Sequence, residues 1–347
     1  MPITGKAMRW LTIFVSTLVL ASAFPRAQNQ APDASPAAPL SFNDWLLTLK
    51  QEALERGFSE ELLSETLADI EPLEHVVRAD RSQAELNPGF ARYLSTRLTP
   101  TMIQRGKEVA TENRSILDQV QRKFNVQGRF LLAIWGMETR YGRVTGNTPV
   151  FKALATLAWE PRRADYFRGE LFNALTMVQR GQIEAQAMTG SWAGAMGQTQ
   201  FMPSSYLNYA VDFDGDGRCD IWKSTGDTLA SIANYLKGFG WNGDETWGRE
   251  VKASAAVRAK IASTIPKRTE GCYARRNMTE RRPLEEWQAI GVRLVGGGAL
   301  PKAKLSAGLV DVGDRTFLVY PNYDAILGYN CAHYYALTVA LLSDRLR

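Results

Sequence analysis

One carboxylate in the 347-residue sequence is set apart by what precedes it. Glu138 ends the apolar run Leu131-Leu-Ala-Ile-Trp-Gly-Met-Glu138, and Thr-Arg-Tyr-Gly-Arg143 follows it. An isolated carboxylate at the end of such a run is costly to ionise, so burial should raise its pKa. A carboxylic acid that keeps its proton near neutral pH is suited to general acid catalysis. The competing reading is a structural ion pair with Arg140 or Arg143, and this segment alone leaves both open. Two downstream stretches favour chemistry. Ser191-Trp-Ala-Gly-Ala-Met-Gly197 is a small-residue loop whose backbone can approach a ligand closely. It runs into Gln198-Thr-Gln200-Phe-Met-Pro-Ser-Ser205, which is dense in neutral hydrogen-bonding groups.

A second constellation is acidic. Asp212-Phe-Asp214-Gly-Asp216-Gly217-Arg218-Cys-Asp220 places oxygen-bearing side chains at alternate positions and a Gly at the sixth, as the opening of an EF-hand loop does. The twelfth position should carry a Glu and carries Lys223, so the pattern is incomplete, and a metal-free acidic turn is the alternative.

The elements that must position these groups are mostly helical. Ser41 is a suitable N-cap for an amphipathic stretch carrying Trp45, Leu46, Leu49, Ala53 and Leu54, and Glu60 to Ile70 repeats the pattern. The spacing predicts one long helix from Ile103 to Phe124 and a short, buried one from Phe130 to Tyr141. Further helices are expected over Phe151–Ala158, Ala164–Arg180, Asp227–Phe239 and Cys331–Leu346. Strand signals come late, at Gly291–Val295, Ala307–Val312 and Thr316–Tyr320. The fold class is therefore mainly α, of the α+β kind, with a small β element at about 290–320. No Gly-rich phosphate loop follows a strand, which argues against a nucleotide-binding α/β fold.

The chain's beginning and its composition bound the setting. Lys6 and Arg9, the apolar run from Trp10 to Ala21 and the small triplet Ala21-Ser22-Ala23 read as an export signal over residues 1–23, with a retained anchor as the alternative. Residues 24–40 are rich in Ala, Pro, Gln and Ser and read as a tether; 41–347 read as one composite domain with its core at about 125–245. An exported, periplasmic protein with no cysteine to carry an N-terminal lipid is expected, without a transmembrane span after processing. Export lowers the odds of a nucleic-acid partner, so the net charge of +5 suits an anionic polymer better. Three cysteines allow at most one intramolecular disulfide; Cys272 with Cys331 is preferred, because Cys219 sits inside the tight acidic loop.

Several segments together resemble the membrane-bound lytic transglycosylase B family of lytic murein transglycosylases. They are Gly136-Met-Glu138-Thr-Arg-Tyr-Gly142, Ala153-Leu-Ala-Thr-Leu157, Pro161-Arg-Arg-Ala-Asp-Tyr-Phe167, Gly194-Ala-Met-Gly197, Gln200-Phe-Met-Pro-Ser-Ser205, Val211-Asp-Phe-Asp-Gly-Asp-Gly217 and Ile232-Ala-Asn-Tyr235. The resemblance implies a lysozyme-like core that cuts the MurNAc-GlcNAc β-1,4 bond of peptidoglycan and leaves 1,6-anhydromuramoyl ends, a lyase reaction. Glu138 matches the single acid/base. Ser191 and Gln200 match sugar-contacting groups, and Arg162 and Arg163 match a groove pair suited to the carboxylates of peptidoglycan. Tyr93, Tyr235, Tyr329 and Tyr335 match cleft tyrosines, each with a half-buried core role as its alternative. The resemblance also implies a structural calcium site, or sodium in its absence, at Asp212, Asp214, Asp216 and Arg218, with Asp227 as the late carboxylate.

Catalysis itself is expected to need no cofactor, and the partners are glycan strands and other cell-wall enzymes. Two further functions compete. One is a hydrolytic muramidase of the same fold, for which Glu184 or Asp165 would serve as a second carboxylate. The other is a non-enzymatic, calcium-dependent peptidoglycan-binding protein.

Overall fold

A computed structural model describes residues 40–82 and 89–347. The leader and all but the last residue of the tether lie outside the described residues. The first helices follow from their caps and apolar spacing. Ser41 accepts a hydrogen bond from the Asp44 amide and starts α1 (Phe42–Glu55), which buries Phe42, Leu46, Leu49 and Ala53 along one face. Ser59 does the same for α2 (Glu60–Leu67). There follow α3 (Glu74–Ser82), α4 (Phe90–Arg97), α5 (Pro100–Glu112), α6 (Arg114–Phe124), α7 (Gly128–Thr139), α8 (Val150–Trp159), α9 (Ala164–Gln179), α10 (Pro203–Tyr209) and α11 (Thr225–Gly238). The chain then passes through α12 (Ala255–Thr264), α13 (Tyr273–Arg276) and α14 (Leu284–Ile290) and ends in α15 (Pro321–Tyr329) and α16 (His333–Arg345).

The single helix expected over Ile103–Phe124 is two. Asn113 leaves helical geometry at φ −112°, ψ 20°, and its side-chain amide donates to the Val109 carbonyl, closing α5 as α6 begins. The continuous apolar spacing hides this break, because both helices bury their faces in the same core. At its centre is α7, whose residues Phe130 to Gly136 are buried on every side. Helices α5, α6, α11 and α16 pack around it. A second core joins α1 and α2 to α8, α9 and the 196–206 segment.

The β element is larger than expected and begins earlier. Strands β1 (Thr148–Pro149) and β2 (Thr189–Gly190) form a minimal pair beside α8. A five-stranded antiparallel sheet has the order β4-β6-β7-β3-β5, built from β3 (Gly248–Lys252), β4 (Arg282–Pro283), β5 (Arg293–Leu294), β6 (Ser306–Val312) and β7 (Arg315–Val319). The expected strand at Gly291–Val295 is only two residues long, and β3, unexpected, lies between β5 and β7. On β7 the alternation is visible residue by residue: Phe317 and Val319 join the α7 core, and Leu318 enters a smaller core with Trp287 and Leu309. Cys272 and Cys331 are disulfide-bonded with their Cα atoms 6.4 Å apart, and Cys219 is free. That bond ties the start of α13, between β3 and β4, to the segment joining α15 and α16. Among the described residues no single helix is long and apolar enough to cross a membrane.

Candidate active site

Glu138 occupies the last turn of α7. The helix stops there because Arg140 and Tyr141 both take left-handed backbone conformations, at φ 51° and 60°, with Gly142 following at 81°. Two consecutive non-glycine residues in that region cost about 1–2 kcal/mol each. The turn is held by hydrogen bonds from the Arg140 amide to the Gly136 carbonyl and from the Gly142 amide to the Thr139 hydroxyl. Glu138 keeps some solvent access, yet protein packs tightly round its carboxyl. Burial pushes its pKa up to about 7, against a smaller lowering by the hydrogen bond it receives from the Tyr335 hydroxyl. The ion pair with Arg140 or Arg143 does not form: Glu138 takes a phenol as its partner. Tyr335 is itself buried, and burial first, then the charge of Glu138, raises its pKa well above the ordinary phenol value, so it remains a proton donor.

The small-residue loop is fastened to α7 from beneath the acid. The Trp135 indole donates to the Gln198 side-chain oxygen at 3.0 Å, and the Thr139 hydroxyl to the Gln198 carbonyl at 3.1 Å. Gly197 must be glycine: its φ is 60°, and a Cβ there would lie 2.7 Å from the Ile221 carbonyl oxygen. Ser191 folds the loop back on itself, its amide donating to the Ala195 carbonyl and its hydroxyl oxygen accepting from the Ala195 amide. The Gln200 side-chain nitrogen is spent on the Thr145 and Gly197 carbonyls, at 3.0 and 2.9 Å. Its Oε1 atom has no protein partner among the described residues.

The four expected tyrosines divide. Tyr335 touches the carboxylate directly. Tyr93 and Tyr329 lie near enough for the charge of Glu138 to raise their pKa values, after the larger effect of burial. Tyr329 also donates to the Thr199 carbonyl at 2.7 Å, tying α15 to the loop. Tyr235 is held differently. It is 8% exposed, its hydroxyl is spent on the Gly328 carbonyl, and its ring packs among Phe201, Tyr209, Phe239 and Tyr329. Its ring thereby helps to support Tyr329.

Arg162 and Arg163 have a partner within the chain. Both guanidinium groups bind the buried carboxylate of Asp80 on α3, Arg162 through its Nε and Nη2 atoms. The hydrogen bond from Arg162, opposed by burial and reinforced by Arg163, holds the Asp80 carboxyl below its usual range. The pair has a carboxylate partner in this chain, and both side chains stay partly exposed, at 45% and 37%. A buried acid needs such partners, but Asp80 lies more than eighty residues away in sequence and no pattern links it to them.

The acidic loop folds round its own amides. Asp212 accepts from the Gly215 and Gly217 amides, Asp214 from Asp216, and Asp216 from Arg218. Asp227, in the first turn of α11, is buried and reaches back to accept from the Phe213 and Asp220 amides at 2.9 and 2.7 Å. Ligand atoms of Asp212, Asp214 and Asp227 converge within 4.8 Å of one another. Burial first, and the charge of Asp214 among lesser causes, push the Asp227 pKa up despite those amides. Three converging carboxylates of which one is buried fit a hard cation, whose charge would relieve both effects. Asp216 stands outside that convergence.

Three supporting residues have roles that the sequence does not assign, although Gln198 opens the segment dense in hydrogen-bonding groups. Trp135, Thr139 and Gln198 link the acid's helix to the loop, and only their closeness in the chain to Glu138 and Gly197 could have signalled them. A cavity of about 820 Å³ lies elsewhere, between Pro283 and Ser306 beside α14, and contains none of the site residues.

The same arrangement of chain recurs in known proteins. Residues 41–344 match the family model described as Transglycosylase SLT domain. The chain is 34% identical over 294 residues to membrane-bound lytic murein transglycosylase B of Escherichia coli K12, covering 82% of this chain and 77% of that protein. Its structure is similar to that of SltB3 from Pseudomonas aeruginosa, solved in complex with NAG-anhNAM-pentapeptide: TM-score 0.80 and 41% identity, covering 88% of this chain and 79% of the other. Slt35 of Escherichia coli, solved in complex with calcium, gives a TM-score of 0.72 at 30% identity over 88% of this chain and 92% of the other. With a carboxylic acid and its phenol partner set at the end of a buried helix, in a chain matched to these proteins over nearly its whole length, this protein belongs to the lytic murein transglycosylases.

Proposed function

We propose that the enzyme cuts the MurNAc-GlcNAc β-1,4 bond with Glu138 as its only acid/base. The observation that supports this is the raised pKa of Glu138, about 7, beside a phenol that holds the carboxyl in place. The protonated acid gives its proton to the bridging oxygen, and the bond from that oxygen to the muramoyl anomeric carbon breaks. Glu138, now a carboxylate, takes the proton from the C6 hydroxyl of the same muramoyl residue. O6 bonds to the anomeric carbon and closes the 1,6-anhydro ring. The proton is returned to Glu138 and no water is consumed, so no second carboxylate is required. The charge of Glu138 raises the pKa values of the tyrosines Tyr93, Tyr329 and Tyr335, after the larger effect of burial. A phenol hydrogen bond stabilises the carboxylate once it forms and returns it to the same position for the second transfer. Ser191 and the free Oε1 of Gln200 are offered to the sugar beside the scissile bond.

Calcium would be structural here. Asp212, Asp214 and Asp227 would hold it, and its charge would brace the acidic loop against α11. Its support is the donor set together with the calcium complex of a relative. Export to the cell envelope, where the substrate is found, is proposed from the leader-like residues 1–23.

Digestion of peptidoglycan in ¹⁸O-enriched water tests the reaction type. Ring closure predicts muramoyl ends that carry no solvent oxygen. One heavy oxygen per cut would establish the hydrolytic muramidase instead.

A further inference from the structure

We propose that a cavity between α4, α5 and the turn that follows Glu138 holds a carboxylate of the peptide carried by the muramoyl sugar, and that Arg97, Arg140 and Arg143 bind it. The proposal rests on the peptidoglycan reading above and names the part of that substrate the cavity takes.

The cavity measures about 450 Å³, and four arginines are among its lining residues, Arg97, Arg105, Arg140 and Arg143. Only Arg105 has carboxylate partners among the described residues, Glu108 and Glu112, both on its own helix. Its Nε atom is buried and has no acceptor. Four cations against two carboxylates leave an uncompensated positive charge in a concave site, which an incoming anion would relieve. The planar guanidinium fork suits a carboxylate in particular, since it donates two parallel hydrogen bonds.

The guanidinium carbon of Arg97 sits 3.9 Å from the centroid of the Tyr93 ring, a contact that limits its freedom. Arg140, exposed like Arg97 and Arg143, follows Glu138 in the left-handed turn, and Tyr141 anchors the cavity wall by donating to the Met102 carbonyl at 3.1 Å. Position links the cavity to the chemistry. Arg140 comes two residues after Glu138, and Arg97 comes one helical turn after Tyr93, whose hydroxyl feels the charge of Glu138. A glycan bound at Glu138 with its muramoyl sugar in place would thus carry its peptide past these arginines. The pair expected for this role, Arg162 and Arg163, is bound to Asp80, whereas Arg140 and Arg143 carry no ion-pair partner among the described residues.

The test compares glycan strands bearing tetrapeptides with strands stripped of peptide by an amidase, using wild type and the Arg140→Ala/Arg143→Ala protein. The variant should lower the ratio of kcat/KM for peptide-bearing over stripped strands by about tenfold, the size of losing one charge-assisted hydrogen bond, with KM carrying the change. A second measurement uses calorimetry on the Glu138→Gln protein with a disaccharide tetrapeptide and its C-terminally amidated form. Amidation should weaken binding, and the double arginine replacement should erase the difference between the two ligands. An unchanged ratio, or equal binding of free and amidated peptide, overturns the proposal. Pelleting with phosphatidylglycerol vesicles that depends on these arginines, combined with an unchanged ratio, would overturn it in favour of a membrane surface. If wild type yields anhydromuramoyl ends from neither strand, the functional reading itself has failed.

Discussion

Replacing Glu138 with Gln should make the protein more stable, by an amount that depends on pH. The acid's pKa is about 7 in the folded protein and near 4.5 when it is exposed. Between those values the folded chain holds a proton that the unfolded chain has released, so stability falls as pH rises through that window. The loss is complete above pH 7. At 1.36 kcal/mol for each pKa unit, it amounts to about 3 kcal/mol, an upper figure since Glu138 keeps some contact with water. Glutamine has the same shape, accepts the Tyr335 hydrogen bond and never ionises, so the variant is spared the loss. Urea unfolding of both proteins at a series of pH values from 4 to 8, at fixed calcium, measures it. All other titrations cancel in the difference. The variant should match wild type at pH 4 and exceed it by 1–3 kcal/mol (an order-of-magnitude range from the same arithmetic) at pH 8. Curves that stay parallel across the window would show that Glu138 titrates normally, and the case for a poised acid would fall.

Other outcomes follow from the same contacts. Tyr335→Phe removes the one hydrogen bond that lowers the Glu138 pKa, so the pH–rate profile should shift to higher pH and kcat should drop about 10²-fold, the usual scale for a misplaced acid; an unmoved profile would deny the phenol its role. Millimolar calcium added to chelator-treated protein should raise Tm by stabilising the folded state by about 3 kcal/mol at a hundredfold excess over Kd, and Asp227→Ala should abolish the rise; no rise in wild type would remove the cation site. Cys331→Ser opens a bond that spans 59 residues, and chain entropy sets the resulting loss at about 4 kcal/mol; denaturant unfolding with an unchanged midpoint would contradict it.

How far the sequence disclosed this molecule depended on whether the determining contacts were local. Glu138 could be read from its own helix, because the apolar run before it produces the burial that raises its pKa. Caps such as Ser41 and Ser59 act within one turn and were equally plain. Asn113 was missed because its break leaves the apolar spacing of α5 and α6 unchanged. Strand β3 was missed because its polar residues face partners far along the chain: Glu250 pairs with Arg315, and Arg249 donates to the Tyr320 hydroxyl. Two sets of contacts were hidden for the same reason. Asp80 pairs with Arg162 and Arg163 from another helix, and the Gly328 carbonyl accepts from the Tyr235 hydroxyl, both across long stretches of chain. Tyr335, 197 residues from Glu138, could be assigned to the site only through its resemblance to a family, and the fold accounts for it by packing α16 against α7.

In the proposed mechanism a single carboxylate carries out both proton transfers. Mass spectrometry of the muropeptides released from purified peptidoglycan by wild type and by Glu138→Gln tests it most directly. Wild type should release 1,6-anhydromuramoyl products, one water lighter than reducing ends, and the variant should release them at least about 10²-fold more slowly. Reducing products from wild type, or near-normal release by the variant, would contradict it.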